Sequence, residues 1–304
     1  MKVFFAYLAV VLLWSTTPLA IKWSTEGSSH LFGVTARMVI GLGVIGFYFL
    51  LNQRKLPLHS KALSAYLAGS VQIFGSMLLT YWSSQFIPSG WISVIFGLVP
   101  ILTAPMAAIW LKERSLTPCR MIASCIGFGG LFLMFKTALT VSTDAVLGIL
   151  GIVAAAFLQA ISAVSTKRIN AGLTSGEMVF GALTIAVPAY VTVWGIFDPH
   201  IPSDLPISSW GSILYLGAIA TTIGFALYYY LLAHLPATRV ALITLIVPPL
   251  SLYVGYIWNS ELLHEHVLSG TLLIMSGLVL YLYGDRLATR WLRKKPQNFR
   301  DTAT

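Results

Sequence analysis

The chain has 304 residues, of which 57% are hydrophobic and only 10% are charged, and its mean hydropathy is +0.81. A soluble domain carries roughly 25% charged residues, so this chain lacks the polar surface that water requires. The net charge of +9 does not indicate nucleic acid, because the basic residues lie in short loops and one tail between apolar runs. The composition therefore excludes an ordinary soluble domain and predicts that lipid is the solvent of this protein.

Ten runs of mostly apolar residues follow one another along the chain, and a helix of about 20 such residues crosses a bilayer. They cover residues 4–23, 31–51, 62–82, 88–109, 118–136, 146–165, 176–197, 210–231, 237–258 and 267–285. The first run looks like a signal peptide, but it is long enough to span and nine more runs follow, so we expect an uncleaved helix. The pattern predicts an integral, multi-pass membrane protein.

The distribution of Lys and Arg predicts the orientation of these spans. Ten spans place both termini on one side, and all but three of the 19 basic residues, Lys22, Arg37 and Lys136, belong to that side. Because basic loops remain in the cytoplasm, we expect a cytoplasmic (inner) membrane protein with both termini cytoplasmic. Residues 286–304 form a basic cytoplasmic tail that is too short for a domain.

The second half of the chain repeats the first at a fixed offset of 148 residues. The identical pairs at this offset are Gly69 and Gly217, Leu79 and Leu227, Tyr81 and Tyr229, Pro88 and Pro236, Ile95 and Ile243, Val99 and Val247, Pro100 and Pro248, Leu102 and Leu250, Ile109 and Ile257, Trp110 and Trp258, Glu113 and Glu261, and Gly129 and Gly277. Apolar composition supplies chance matches of Leu, Ile and Val, but it does not easily supply paired Pro, Trp and Glu. The pairing therefore indicates an internal duplication.

The offset places spans 3, 4 and 5 on spans 8, 9 and 10, and a shift by an odd number of spans reverses the direction across the membrane. Spans 1 and 2 match spans 6 and 7 poorly, so the repeat there depends on span count alone. The predicted fold is an all-α membrane protein with ten transmembrane helices in two inverted five-helix repeats, residues 1–140 and 141–285. Such halves rock around a site between them, which indicates a transporter.

Four stretches of the sequence resemble a known family. They are VLLWSTTPLAIK in span 1, ARMVIG in span 2, IFGLVPILTAPMAAIWLKE in span 4 and LIVPPLSLYVGYIWNSE in span 9. They resemble the EamA type of the drug/metabolite transporter superfamily, and the resemblance covers the whole chain. It implies a plan of five plus five helices and the export or exchange of small metabolites, including amino acids.

Two repeated features lie in spans 4 and 9. Pro100 and Pro248 are in midspan, where a proline removes one backbone hydrogen bond and bends the helix. They are either packing kinks or hinges that flex during alternating access. Glu113 and Glu261 end the same spans, and we interpret them as structural caps, with Lys112, Arg114 or Arg120 as partners of the first and His264 or His266 as partners of the second. A gating or proton-coupling role is the alternative.

Arg37 is the only charge well inside a span, roughly 9 Å from its outer end at 1.5 Å per residue. Charges at such depth are costly and are usually functional. Arg37 either pairs with Glu26 or reaches outward to water, or its guanidinium faces a cavity and binds a substrate carboxylate.

The remaining candidates are polar or aromatic residues within the spans. Ser15, Gln72 and Gln159 either bond to a neighbouring helix or line a cavity. Trp14, Tyr81, Trp91 and Tyr229 either belong to an interfacial belt or shape the site, and Trp14 is distinctive because it is in midspan beside hydroxyl groups. The predicted substrate-binding residues are Trp14, Ser15, Arg37, Gln72, Tyr81, Trp91, Gln159 and Tyr229.

Enzyme and metal sites find little support in the sequence. It contains no Gly-x-Ser-x-Gly, His-Glu-x-x-His or P-loop motif, and Cys119 and Cys125 have no metal-binding partner spacing. We expect no enzyme activity, no catalytic residue, no cofactor and no metal. The predicted partners are a small-molecule solute and the lipid bilayer, with no nucleic acid, and the protein is a monomer or a homodimer.

The leading hypothesis is a secondary active or facilitative transporter, an exporter or exchanger of small organic metabolites such as amino acids, that works by alternating access. A drug, nucleobase or polyamine efflux carrier is the first alternative, and a non-transporting receptor or scaffold is the second. No acidic residue lies at the centre of a span, so a carboxylate proton relay is disfavoured and facilitated diffusion or exchange remains open beside proton coupling.

Overall fold

The computed structural model describes residues 2–112, 117–241, 243–262 and 265–294, and the regular secondary structure within them is helical. The helical segments are numbered in chain order. They are α1 (Lys2–Trp23), α2 (His30–Leu51), α3 (Ser60–Ser83), α4 (Ser89–Trp110), α5 (Pro118–Val141), α6 (Thr143–Ile169), α7 (Ser175–Phe197), α8 (Ile207–His234), α9 (Ala237–Val240 followed by Ile243–Asn259) and α10 (Glu265–Lys294).

Seven of the described helices, α1 to α4 and α6 to α8, are long and apolar enough to cross a membrane. The other three predicted spans fall on α5, α9 and α10. The apolar parts of α5 and α10 are shorter, Pro118–Leu133 and Glu265–Tyr281, and residue 242 within α9 is not described. The described residues therefore support an all-helical fold with seven helices of spanning length, and the count of ten spans remains a prediction.

Local sequence explains where several helices begin. The Ser29 side chain caps the start of α2, and Thr174 and Glu177 form a reciprocal capping box at the start of α7. Pro88 and Pro236 directly precede α4 and α9, at positions where a helix needs no backbone N–H. The short loops thus carry the residues that end one helix and orient the next.

The helices pack in pairs that interchange when the two halves of the chain are exchanged. Helix α2 packs on α8 as α3 packs on α7, and α1 packs on α9 as α4 packs on α6. The equivalent helices α2 and α7, α4 and α9, and α5 and α10 pack directly on each other. A two-fold relation between the halves produces this pattern, so two repeats fit the fold.

Unusual backbone geometry recurs at the same offset. Lys112 and Ser260 both have a positive φ, 55° and 50°, at the end of α4 and of α9. Residues Val71–Ser76 in α3 and Tyr215–Gly224 in α8 are wound as wider π-helical turns, and the first segment maps onto the end of the second. Such turns are frequent at functional sites. The duplication therefore extends from residue identities to backbone conformation.

The structure also relates α1 and α2 to α6 and α7, where the 148-residue offset finds few matches. Gly27 and Gly172 have positive φ values of 72° and 69° in the loops between these helices. Ser29 and Thr174, two residues further on, cap the helices that follow. Both pairs are 145 residues apart, so the three extra residues of the second half lie between Thr174 and Gly217.

The two midspan prolines occupy different local structures. Helix α4 is interrupted at Gly97 and Leu98, and its second part has Pro100 in its first turn. Helix α9 continues from Ile243 through Pro248. Pro100 thus follows a break whereas Pro248 lies within a helix, and a hinge role for each remains a prediction.

Helices α5 and α10 form a pair held together at their ends and by close packing. Arg120 Nε lies 3.4 Å from an Asp285 carboxylate oxygen, and Thr117 Oγ1 donates a hydrogen bond of 2.6 Å to the same carboxylate. A Cβ at Gly277 would lie 2.7 Å from the Ala123 carbonyl oxygen, so the helix backbones approach closely. Arg120 therefore has Asp285 as its ion-pair partner.

Gly217 marks the closest approach of α8 to α2, and we predict that a methyl group there destabilises the fold. A Cβ at Gly217 would lie 2.8 Å from the Arg37 carbonyl oxygen and 2.7 Å from Ile40 Cγ2, inside the usual contact distance of roughly 3.5–4.0 Å. We expect Gly217→Ala to lower the free energy of unfolding by about 1–3 kcal/mol, measured as a lower thermal midpoint of the purified protein in detergent.

Gly211→Ala is the matched control in the same helix. A Cβ at Gly211 meets nothing within 4 Å, and alanine forms helices better than glycine, so its thermal midpoint should equal or exceed that of the parent. Equal midpoints for the two variants would show that α2 and α8 do not touch at Gly217.

Candidate functional site

A cavity of about 70 Å³ lies between the two halves of the chain. Helices α1 to α4 of the first half and α6, α8 and α9 of the second form its wall. The polar side chains on this wall are Thr17, Arg37, Gln72, Thr80, Ser93, Gln159 and Thr244, and the larger apolar ones are Trp14, Ile21, Met77, Ile92, Phe96, Phe225 and Val247. The cavity is thus a partly polar space inside an apolar helix bundle.

Arg37 is the charged group of this cavity, and its side chain is only 2% exposed. Its Nε donates to Thr221 Oγ1 at 2.8 Å, and its Cζ lies 5.9 Å from the centroid of the Tyr81 ring, a cation–π distance. Its Nη1 is buried without a hydrogen-bond partner in the described part of the chain. Neither expected alternative holds among the described residues, because Arg37 does not reach the surface and Glu26 instead accepts from Ser208 Oγ at 3.3 Å.

Two amides reach the same cavity from opposite halves. Gln72 on α3 is 1% exposed and Gln159 on α6 is 5% exposed. The Oε1 atom of Gln72 is buried and lacks a hydrogen-bond partner among the described residues. An unmet amide oxygen in an apolar interior costs about 1–3 kcal/mol, so a polar solute or water that met this oxygen would be stabilised here.

Three of the larger apolar wall residues are aromatic. Trp14 stacks on Tyr228 with ring centroids 5.4 Å apart, and Phe96 and Phe225 approach from α4 and α8. Pro18 lies one turn after Trp14 on the same wall, and it cannot donate an N–H to the Trp14 carbonyl. The cavity therefore combines flat apolar surfaces with a few unsatisfied polar atoms.

The π-helical turns of α3 and α8 position the groups behind this wall. In α8 the turn directs the Thr221 hydroxyl toward the Arg37 Nε. In α3 the Tyr190 hydroxyl donates to the carbonyls of Ile73 and Phe74 at 2.7 and 3.0 Å. Because a π-turn frees backbone carbonyls from regular helical bonding, side chains from the crossing helices supply the missing partners.

The structure brings Trp14, Arg37, Gln72 and Gln159 together on the cavity wall and leaves the other predicted binding residues outside it. The role of these four residues in binding remains a prediction, but the fold places all four side chains on the wall of one cavity.

Ser15 and Trp91 lie behind the wall. The Ser15 carbonyl accepts from Ser251 Oγ at 2.8 Å, and Ser93 Oγ donates to Ser251 Oγ at 2.8 Å, so these groups tie α1, α4 and α9 together. Trp91 of α4 is 2% exposed and packs in an apolar core with residues of α6, α9 and α10. Neither residue lines the cavity, because the Ser15 hydroxyl donates to the Val11 carbonyl of its own helix at 2.7 Å and the Trp91 ring is buried in that core.

Tyr81 and Tyr229 are equivalent by the repeat, and both hydroxyls are buried without a partner among the described residues. Tyr81 supports the Arg37 guanidinium from behind. Tyr229 faces Gly69, where a Cβ would lie 2.9 Å from its hydroxyl oxygen, and it lines a second, more polar pocket of about 410 Å³ beside Lys167. Neither tyrosine lines the central cavity.

Sequence reasoning missed Thr80, Ser93 and Thr244 as wall residues. Thr80 and Thr244 bond to the carbonyls of Ser76 and Ala241 in their own helices at 2.7 and 2.6 Å. Hydroxyls in membrane helices commonly bond in this way, so no sequence signal separates the wall residues from the others.

A hydrogen-bonded network, here named the latch, joins the two halves where α1 ends and α4 begins. The Glu261 carboxylate accepts from the backbone N–H groups of Ser89 and Gly90 at 3.0 and 3.2 Å. Asn259 Nδ2 donates to Glu261 Oε1 at 3.0 Å, and Trp23 Nε1 donates to Asn259 Oδ1 at 3.1 Å. The latch thus connects the end of α9 with the start of α4 and the end of α1.

The latch gives Glu261 partners that the sequence did not predict. A carboxylate at the end of its own helix is unfavourable, but Glu261 faces the first turn of α4, where free N–H groups and the helix dipole favour negative charge. Among the described residues, backbone groups and Asn259 are therefore its partners. Glu113, the repeat equivalent of Glu261, and His264 lie outside the described residues.

A family model described as the EamA-like transporter family matches the chain twice, at residues 1–136 and 146–283. The two matches together cover most of the chain and fall one on each half.

Several curated proteins are similar over nearly the whole chain. The uncharacterized transporter YoaV of Bacillus subtilis (strain 168) is 24% identical over 92% of this chain and 96% of its own length. A probable terminal-alkyne amino-acid exporter of Streptantibioticus cattleyicolor is 24% identical over 92% and 93%. A probable amino-acid metabolite efflux pump of Escherichia coli (strain K12) is 25% identical over 92% and 94%.

One crystal structure superposes on this fold with a TM-score of 0.65 at 20% sequence identity, and the match covers 94% of this chain and 99% of the other. At this identity the likeness concerns the fold alone. It shows that the helical arrangement described above occurs in another protein over its full length.

We predict that Glu261→Ala weakens the closure between the two halves. The change leaves two N–H groups at the start of α4 without their acceptor, and loss of such a cap costs about 0.5–2 kcal/mol. The thermal midpoint of the purified protein should fall accordingly. Asp204→Ala, which removes an exposed carboxylate near the same end, is the control and should shift stability by less than about 0.5 kcal/mol. A parent-like midpoint for Glu261→Ala would contradict the latch.

Proposed function

Because the chain belongs to the EamA-like transporter family, a family of membrane-embedded small-molecule transporters rather than enzymes, we propose that it is a secondary carrier of small organic solutes that works by alternating access. The observation that carries this proposal is the central cavity, which both halves line and which contains unsatisfied polar atoms. Solute sites of inverted-repeat carriers lie at such an interface.

The proposed solute site is the wall formed by Trp14, Arg37, Gln72 and Gln159. The amides and the guanidinium hold the polar end of the solute, and the indole ring packs against its apolar part. Since the wall residues come from both halves, a rocking motion of one half against the other changes their separation. Binding and release of the solute are thereby coupled to the conformation.

The proposed transport cycle opens and closes the latch. With Glu261 bound to the start of α4, access from that side is restricted, and breaking the latch exposes the cavity there. The interruption of α4 before Pro100 and the proline pair Pro248 and Pro249 in α9 are the proposed hinges, because helices lacking regular hydrogen bonds bend most easily.

Export or exchange is the proposed direction, and amino acids are among the proposed substrates. Support comes from the relatives named as an amino-acid exporter and as an amino-acid metabolite efflux pump. The proposed topology has ten spans in two inverted five-helix repeats, in a cytoplasmic (inner) membrane.

We predict that the protein reconstituted in proteoliposomes exchanges at least one labelled amino acid or organic acid, and that Trp14→Ala and Gln72→Ala each lower the initial exchange rate by about tenfold. The expected size corresponds to loss of one contact worth about 1.4 kcal/mol. Trp210→Ala and Gln85→Ala are matched controls, because both side chains are exposed, and they should retain parent rates. Unchanged exchange in both cavity variants would remove these residues from the site.

We further predict that reporters fused before Lys2 and after Thr304 are both found in the cytoplasm. An even number of spans with basic loops on the terminal side requires this result. Paired fusions to green fluorescent protein and to alkaline phosphatase measure it, since the first fluoresces only in the cytoplasm and the second is active only outside. Termini on opposite sides would contradict the inverted repeat.

A further inference from the structure

We infer that the central cavity binds the carboxylate group of an amphipathic organic solute at the Arg37 guanidinium, with the apolar body of the solute against the Trp14, Phe96 and Phe225 rings. This inference rests on the proposed function, because it specifies the chemistry of the solute in the same cavity.

Neighbouring side chains hold the Arg37 guanidinium in place and leave some of its N–H donors unused. Thr221 fixes Nε at 2.8 Å and the Tyr81 ring lies behind Cζ at 5.9 Å. These contacts leave Nη1 buried and without an acceptor, on a side chain that lines the cavity. A guanidinium presents several N–H donors in a rigid plane that matches the two oxygens of a carboxylate.

The positive charge of Arg37 has no fixed counter-charge in the cavity. None of the described residues that line the cavity is Asp or Glu. A buried charge without a partner is costly in an apolar interior. A bound carboxylate would supply the missing negative charge and the missing acceptor at the same time.

Packing of the two helices does not require an arginine at this position. At one crossing, Gly217 of α8 lies against Arg37 of α2. At the equivalent crossing, Gly69 of α3 lies against Ala182 of α7, and a Cβ added at Gly69 would lie 3.0 Å from the Ala182 Cβ. The equivalent crossing therefore packs with an alanine in place of the arginine. Packing of the helices does not account for the cation at Arg37.

The other wall groups suit the rest of such a solute. The aromatic rings present flat apolar faces, and Gln72 Oε1 offers a hydrogen-bond acceptor without an opposing donor. An amino acid would place its ammonium near this oxygen, whereas an organic acid would bring only the carboxylate and the apolar body. The shared feature is the carboxylate, and the experiment separates the two sources.

The test measures ligand affinity by thermal shift of the full chain in lipid nanodiscs. The probes are butyrate, 3-phenylpropionate, indole-3-acetate and phenylalanine, each compared with its own primary amide, which has nearly the same shape but no carboxylate. We expect at least one acid to bind the parent protein tenfold or more tightly than its amide. Preference for phenylalanine over 3-phenylpropionate identifies an amino acid as the source of the carboxylate, and the reverse identifies an organic acid.

The variants test whether Arg37 causes this preference. Arg37→Gln should reduce the acid-to-amide ratio to within twofold of one, Arg37→Lys should retain part of it, and Arg168→Gln, which removes an exposed arginine at the end of α6, should leave it unchanged. Arg37→Ala, which copies Ala182, should melt at or above the parent temperature. A purely structural arginine would give lower melting in Arg37→Gln and Arg37→Ala and an unchanged ratio.

The proposal is overturned if no acid exceeds its amide, or if the ratio survives in Arg37→Gln. Failure of this proposal and of the carrier function are distinguishable. Exchange of neutral amides at the rate of the acids in proteoliposomes would support the carrier function and contradict the carboxylate site. Arg37-dependent carboxylate binding without exchange of any solute would support the carboxylate site and contradict the carrier function.

Discussion

The crossing of α2 over α8, and its counterpart of α3 over α7, is the contact on which the rest of the structure depends. In lipid, apolar burial does not drive helices together, so close packing and hydrogen bonds must do so. Gly217 and Gly69 allow the backbones to approach at these two points. The approach brings Arg37 within hydrogen-bond reach of Thr221, on the wall of the cavity between the halves.

Much of this architecture can be read from the sequence because duplication leaves a strong signal. The paired residues from Gly69 to Gly129 predicted equivalent helices, and the structure shows equivalent packing, equivalent π-turns and a positive φ at both Lys112 and Ser260. The relation of α1 and α2 to α6 and α7 could not be seen at one fixed offset. Three extra residues between Thr174 and Gly217 change the offset from 145 to 148, and backbone features such as the turns at Gly27 and Gly172 reveal the earlier offset.

The sequence predicted some of the cavity-wall residues correctly and placed other buried residues there in error. The difference has a physical reason. Arg37, Gln72, Gln159 and Trp14 are large or polar groups that lipid does not tolerate easily, so they had to face the interior. Whether an interior group faces a cavity or a neighbouring helix depends on rotation about the helix axis. A run that is apolar on all sides does not encode that rotation, so Trp91 and other buried aromatic residues could not be separated from the wall in advance.

The differences between the halves matter more for transport than their likeness. An ideal two-fold carrier would have two end states of equal energy, since exchanging the halves would exchange the states. The latch uses Trp23 and Asn259 beside Glu261, whereas the equivalent positions in the other half hold Arg168 and Leu111, and a leucine side chain cannot bond as an asparagine amide does. In the proposed transport cycle, the closures on the two sides therefore differ in free energy. A solute must bind the two states unequally to shift the population between them, and under the proposed function the cation at Arg37, opposite Ala182 in the other repeat, provides that asymmetry.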